Sequence, residues 1–109
     1  MHLNHTIFIE SIHHRKRLLL TFFSKEDGTF LSRECAPMDY GPSRRAKIPV
    51  SRYHFWDYES DTGAHQLSLL QDQIRSIEEL LSAFDPSDFV TWDLAKSPWH
   101  IERDWGMFS

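Results

Sequence analysis

Arg17-Leu-Leu-Leu-Thr-Phe-Phe23 and Thr29-Phe-Leu-Ser-Arg-Glu-Cys-Ala36 are two apolar runs separated by Ser24-Lys-Glu-Asp27-Gly28. Runs of this kind, broken by a short polar stretch that ends in Asp-Gly, predict a β-hairpin. Pro37 has no N–H to offer a strand ladder and is expected to end the second strand. Tyr53-His-Phe-Trp-Asp-Tyr58 is dense in aromatic side chains, which suit a pleated, half-buried surface, and Glu59-Ser-Asp-Thr-Gly63 supplies a turn after it. A third strand and then a fourth are therefore expected.

Upstream of the hairpin, Thr6 reads as an N-cap, and Phe8, Ile9 and Ile12 recur at helical spacing, which predicts a short helix over 7–16. Its end, His13-His-Arg-Lys-Arg17, puts cations where the helix dipole favours them, so the cluster reads as a cap. Met38 to Ser51 holds Gly41, Pro42 and Pro49 without periodicity and reads as a long loop, a place where function or mobility concentrates. From Leu67 to Phe84 the reading divides. Leu70, Ile74, Ile77 and Leu81 fit a helical stripe, whereas a strand is the alternative. After Asp85-Pro86 comes a tail, 85–109, with Phe89, Trp92, Trp99, Trp105 and Phe108. Each such side chain can bury about 150–250 Å², so the tail is expected to fold back on the body of the domain or onto a partner.

A chain of 109 residues makes one domain with one core. Hydrophobic content of 40% argues against wholesale disorder, and a single cysteine, Cys35, cannot staple the chain, so a reducing compartment is the simpler reading. The start, MHLNHTIFIESIHH, lacks a leader's basic and apolar regions, and no apolar run is long enough for a membrane; a soluble, cytoplasmic protein is expected. Net charge is −4, but residues 1–55 sum to +4 and residues 56–109 to −8. Such a chain can steer an anion to one face, or its two halves can pair with each other.

The order of elements is a helix ending in basic residues (Ile9 to Arg17), alternating aliphatics (Leu18, Leu20, Phe22), Arg33-x-x-x-Pro37, the aromatic triplet Tyr53-His54-Phe55, and Leu67 to Ile74. This order resembles the WYL domain family over roughly Ile7 to Leu80. The triplet departs from Trp-Tyr-Leu, and the last motif carries Ser68, Gln71 and Gln73 with an insertion where the family often has arginines. The resemblance implies a mainly β fold with one N-terminal helix. The body, 17–80, would be a small antiparallel barrel of about five strands, like Sm or SH3 barrels, with the aromatic tail outside. It also resolves the divided stretch into a strand, a one-turn helix near Gln71 and a final strand through Ile77.

Among candidate binding residues, Arg33 stands on a strand near aromatics, where a guanidinium can hold a phosphate or carboxylate in bidentate fashion; the competing reading pairs it with Glu34 or Asp39. Tyr53 and Phe55 face one side of their strand, and His54 and Trp56 the other. Core packing is the expected role for Tyr53 and Phe55, and a surface role for His54. Arg44, Arg45, Lys47 and Arg52 lie beside that strand and can collect phosphates or simply be solvated. Seven histidines include no metal-binding spacing, and His2, His5, His13 and His14 read as surface residues, so no metal and no cofactor are expected. No nucleophile is paired with a base at a recognisable spacing, so no catalytic residue is assigned and an enzyme is not expected.

Two functions follow. In the WYL family such domains are usually sensors attached to a helix-turn-helix reader, several responding to nucleic-acid or nucleotide ligands, and 109 residues leave no room for that reader. The first expectation is a stand-alone regulatory module that binds a nucleotide or short single-stranded nucleic acid through Arg33, Tyr53, His54, Arg44, Arg45 and Arg52. The second is a protein-interaction or homodimerising subunit whose Trp92, Trp99 and Trp105 bury against a partner regulator or a second copy.

Overall fold

The computed structural model describes residues 3–43, 47–60 and 65–109. It comprises helix α1 (Leu3–His14) and five strands, β1 (Lys16–Ser24), β2 (Thr29–Pro42), β3 (Ser51–Asp57), β4 (Gln66–Leu69) and β5 (Ile74–Ala83). One-turn 3-10 helices occupy Gln71–Gln73, Pro86–Asp88 and Gly106–Phe108. The strands form one antiparallel sheet in the order β4-β3-β2-β1-β5, so the fold is mainly β with one helix. Among the described residues no helix is long and apolar enough to cross a membrane.

The connection from β4 to β5 dictates the shape of the sheet. These two strands sit on opposite edges, yet only Leu70 to Gln73 join them. Laid flat, the edges would be four strand spacings apart, about 19 Å. A five-residue step spans at most about 17 Å when fully extended, and the 3-10 turn shortens it. The sheet must therefore curl strongly. The edges β4 and β5 share no ladder, so the curled sheet is left open rather than closed into the expected barrel.

The β1–β2 hairpin is in the expected place. Its turn is held by Gly28, at φ 67, donating to the Ser24 carbonyl, and by the Ser24 hydroxyl bonded to Asp27. Pro37, however, does not end β2, which runs on to Pro42 through the first five residues of the stretch expected to be a loop. A bulge between Pro37 and Asp39 explains this, because the ladder is interrupted where the proline has nothing to donate. The strand reading of residues 74–83 holds over the helical one. On β5 Ile74 and Ile77 face inward, a spacing of three produced by a register shift against β1, while Leu81 is 95% exposed. That shift makes a strand imitate a helical stripe.

Helix α1 begins at Leu3, before the expected start, so Thr6 lies inside it. It covers one face of the sheet with Phe8 and Ile12, both fully buried, against Leu18, Leu20 and Phe55. Asn4 accepts a bond from the Ile77 N–H, and Glu79 accepts from Ser11 and lies 3.0 Å from His14, so the helix also covers part of the β5 edge.

Arg15 joins α1 to β1 at φ 54, in the left-handed region, while its carbonyl receives the Phe84 N–H. A side chain there costs about 1–2 kcal/mol. Arg15→Gly removes that strain but loosens the unfolded chain, and should change stability by less than about 1 kcal/mol, whereas Arg15→Val should destabilise by about 1–2 kcal/mol. Urea unfolding of the two variants reads the difference.

Candidate functional site

The C-terminal tail is fixed to β2 by one buried carboxylate. Asp39 accepts from the backbone N–H groups of Tyr40, His100 and Ile101 and from the Arg103 guanidinium at 3.1 Å. Arg103 has no exposed side-chain surface. It also donates to the carbonyls of Ile101 and Met38, and its guanidinium carbon lies 4.0 Å from the Trp99 ring centre and 4.3 Å from that of Trp105. Burial pulls this guanidinium down to about 10 against the raising effect of Asp39, so it remains charged at neutral pH. Trp105, 2% exposed, donates its indole N–H to Ile12 of α1, and its ring packs on Phe84 and Phe89. The tail thus takes the first of its two expected destinations and packs on its own domain.

Between this tail and the sheet face opposite α1 lies a cleft of about 520 Å³. Its walls include Met38, Pro42, His54, Trp92, Trp99 and His100. Trp92 and Trp99 meet edge to face at 5.3 Å, and their indole N–H groups are tied to the carbonyls of Ser97 and Phe108, which fixes the rings. Gly41 is the spacer. A Cβ there would fall 2.5 Å from the His100 ring, so the tail reaches β2 only because residue 41 has no side chain.

His54 is 8% exposed, which corrects the expected surface role. Its Nε2 lies 2.9 Å from the Gly41 carbonyl, which only accepts, so that nitrogen carries the hydrogen; in the neutral ring Nδ1 then accepts from the Ser68 hydroxyl at 2.8 Å. The ring is committed to cross-strand bonds, and only its edge lines the cleft. Arg52, two residues along β3, stands on the same face and donates to the Ser68 carbonyl.

The remaining expected site residues are placed apart from it. Tyr53, 3% exposed, faces α1, where it packs on Phe8 and shares a 2.8 Å hydrogen bond with His5. His5 is therefore partly buried in the helix–sheet seam rather than a plain surface residue. Phe55 is fully buried on that same face, as expected. Arg33 lies opposite Leu20 on the core face, 3.9 Å from Asp57, rather than paired with Glu34, which takes Arg17, or Asp39, which takes Arg103. The structure thus joins His54 with Trp92 and Trp99 in one cleft, places Arg52 on the same sheet face outside the cleft lining, and does not bring Arg33 or Tyr53 to them. Arg44 and Arg45 lie outside the described residues, as does His2. Among the described residues no cluster of metal-ligating side chains forms.

Asp39, Gly41, His100 and Arg103 were not singled out as site residues in the sequence. Met38 to Ser51 reads as a loop, and a pair separated by more than sixty positions leaves no local pattern. No family profile, curated protein or solved structure matches this chain.

Three acids are held up by their surroundings. Burial, then the Asp57 and Glu59 carboxylates, raises the Cys35 thiol above 9.0; burial, then Tyr40, raises Tyr53 above 10.0. Burial, and then the bond Tyr58 donates to Asp88, raises the Tyr58 phenol. Their folded values lie above the unfolded ones, so their contribution is complete below about pH 9 and declines as pH rises beyond it. Arg103, lowered, opposes them at high pH. Stability measured by urea unfolding should fall above about pH 9, and Tyr58→Phe should make the fall shallower.

Asp39→Ala leaves the Arg103 cation buried without its partner and should cost about 3–5 kcal/mol. Combining it with Arg103→Met should cost less than the sum of the single changes, the signature of a coupled pair. Gly41→Ala should cost about 1–3 kcal/mol by overpacking against His100. Urea titrations of the four variants give these values.

Proposed function

We propose that this chain is a non-enzymatic, WYL-like regulatory module, working in the cytoplasm, that senses an anionic ligand with a planar ring, a nucleotide or a short single strand. The observation that carries the reading is the cleft with two fixed indoles on the sheet face that also bears Arg52. Indole faces stack on any base and supply about 1–3 kcal/mol per base, while a guanidinium on the same sheet face, beside the cleft, can hold a phosphate. His100, exposed in the cleft lining, adds a donor and a third ring. Arg33 and Tyr53 are left out of this site because they stand on the face toward α1. The reading as a subunit that docks through Trp92, Trp99 and Trp105 has less support, since Trp105 is buried within the chain and the other two are half-buried against it.

Titration with a panel of mononucleotides and short oligonucleotides at about 50 and 200 mM salt tests the proposal through tryptophan fluorescence. Quenching that saturates, weakens with salt, and is reduced about tenfold by Arg52→Ala or Trp92→Leu is the expected result. Absence of quenching by every member of the panel at low salt removes it.

A further inference from the structure

At the other end of β2, away from the cleft, the hairpin tip and the β4–β5 link enclose a groove of about 630 Å³. Its floor is a cross-strand aromatic pair, Phe23 and Phe30, with ring centres 5.5 Å apart and edge to face. These side chains are 37% and 49% exposed, although they are large and apolar. Leu70 and Ile74 form the aliphatic wall, which Gln73 stiffens by accepting the Leu70 N–H at 3.0 Å. Two cations rim it: Lys25, and Arg75, whose guanidinium lies 5.0 Å from the Phe30 ring centre.

An exposed aromatic pair contributes nothing to the core, and Phe30 lies outside it. An arginine held over an aromatic ring keeps the edge of its guanidinium available for a carboxylate, with part of its conformational freedom already removed. The complement of such a groove is a bulky apolar side chain with an acidic group beside it. A polyanion fits less well, because Asp72 lines the same groove and Glu26 and Asp27 occupy the adjoining turn. We infer that this groove docks a short peptide segment of a partner protein that carries one carboxylate beside a bulky apolar side chain, the side chain seated between Phe30 and Ile74 and the carboxylate on Arg75 and Lys25. This inference is independent of the ligand assigned to the cleft.

The test is selection of a random-peptide display library on the whole protein, with Phe30→Ser and Arg75→Glu as counter-baits. Both positions are on the surface, and circular dichroism confirms that the variants are folded. Enriched peptides should combine Asp or Glu with Phe, Leu or Trp, and lose affinity about tenfold or more for each variant. Failure to enrich over an unrelated bait, enrichment without acidic residues, or equal binding to the variants overturns the inference. Self-association in sedimentation that Phe30→Ser abolishes, or oligonucleotide binding lost in the same variants, would replace the peptide with a second copy or a nucleic acid.

Discussion

The placement of the whole C-terminal tail turns on how a fully buried cation at Arg103 is accommodated. Removing a guanidinium from water costs several kcal/mol, and attraction to one carboxylate does not by itself guarantee recovery of that cost. Here the charge meets Asp39, two backbone carbonyls and the rings of Trp99 and Trp105. Asp39 in turn has its charge spread over three backbone donors as well as the arginine. No buried side-chain polar atom among the described residues is left without a partner, so the pair belongs to a completed network rather than standing alone. Its position fixes the geometry of everything on that face, including the cleft.

The network also explains why β2 is so long. Fourteen residues is well beyond the usual strand, and the bulge at Pro37 to Asp39 twists its second half away from the hairpin. Asp39, one residue past the bulge, is thereby turned to the face opposite α1, as its pairing with His54 shows. Gly41 then lets the His100 segment approach, and its carbonyl holds the His54 ring. One irregularity in a strand sets three contacts that close the outer face. The opposed charges of the two halves of the chain are used in the same way, since Asp39 and Arg103 come from the basic and acidic halves respectively.

Local patterns carried much of this fold, and the misreadings have physical causes. The hairpin was legible because Asp27-Gly28 sits between apolar runs, and the inward placement of Tyr53 and Phe55 followed from alternation. Pro37 misled because a proline excludes only a ladder bond, and a bulge removes the need for that bond. Ile74 and Ile77, two members of the helical stripe, misled because a register shift stretches the strand period between them from two to three. Arg33 stands on the core face beside Asp57, away from the cleft, and nothing local in its segment showed which face of the strand it would take. His54 was read as exposed because alternation puts it on the face opposite the core, and nothing local showed that the tail would return to cover it. Aromatic density announced that the tail would be buried, but not that a carboxylate far upstream would receive it.

The cleft and the groove differ in kind because their walls are built differently. At the cleft, His54 and the indole N–H groups are already bonded within the protein, so a ligand there meets ring faces and edges more than unused donors. At the groove, Phe23 and Phe30 lie beyond the reach of the tail, and the cations stand at the rim of an apolar floor. A rigid site with committed polar groups discriminates by shape, since a ligand cannot recruit bonds already made. A groove with exposed rings and charged rims gains most from desolvating apolar surface next to an opposite charge. The polar satisfaction at one end of β2 therefore leaves the other end as the adaptable surface, and this division follows from where the bulge falls along a single strand.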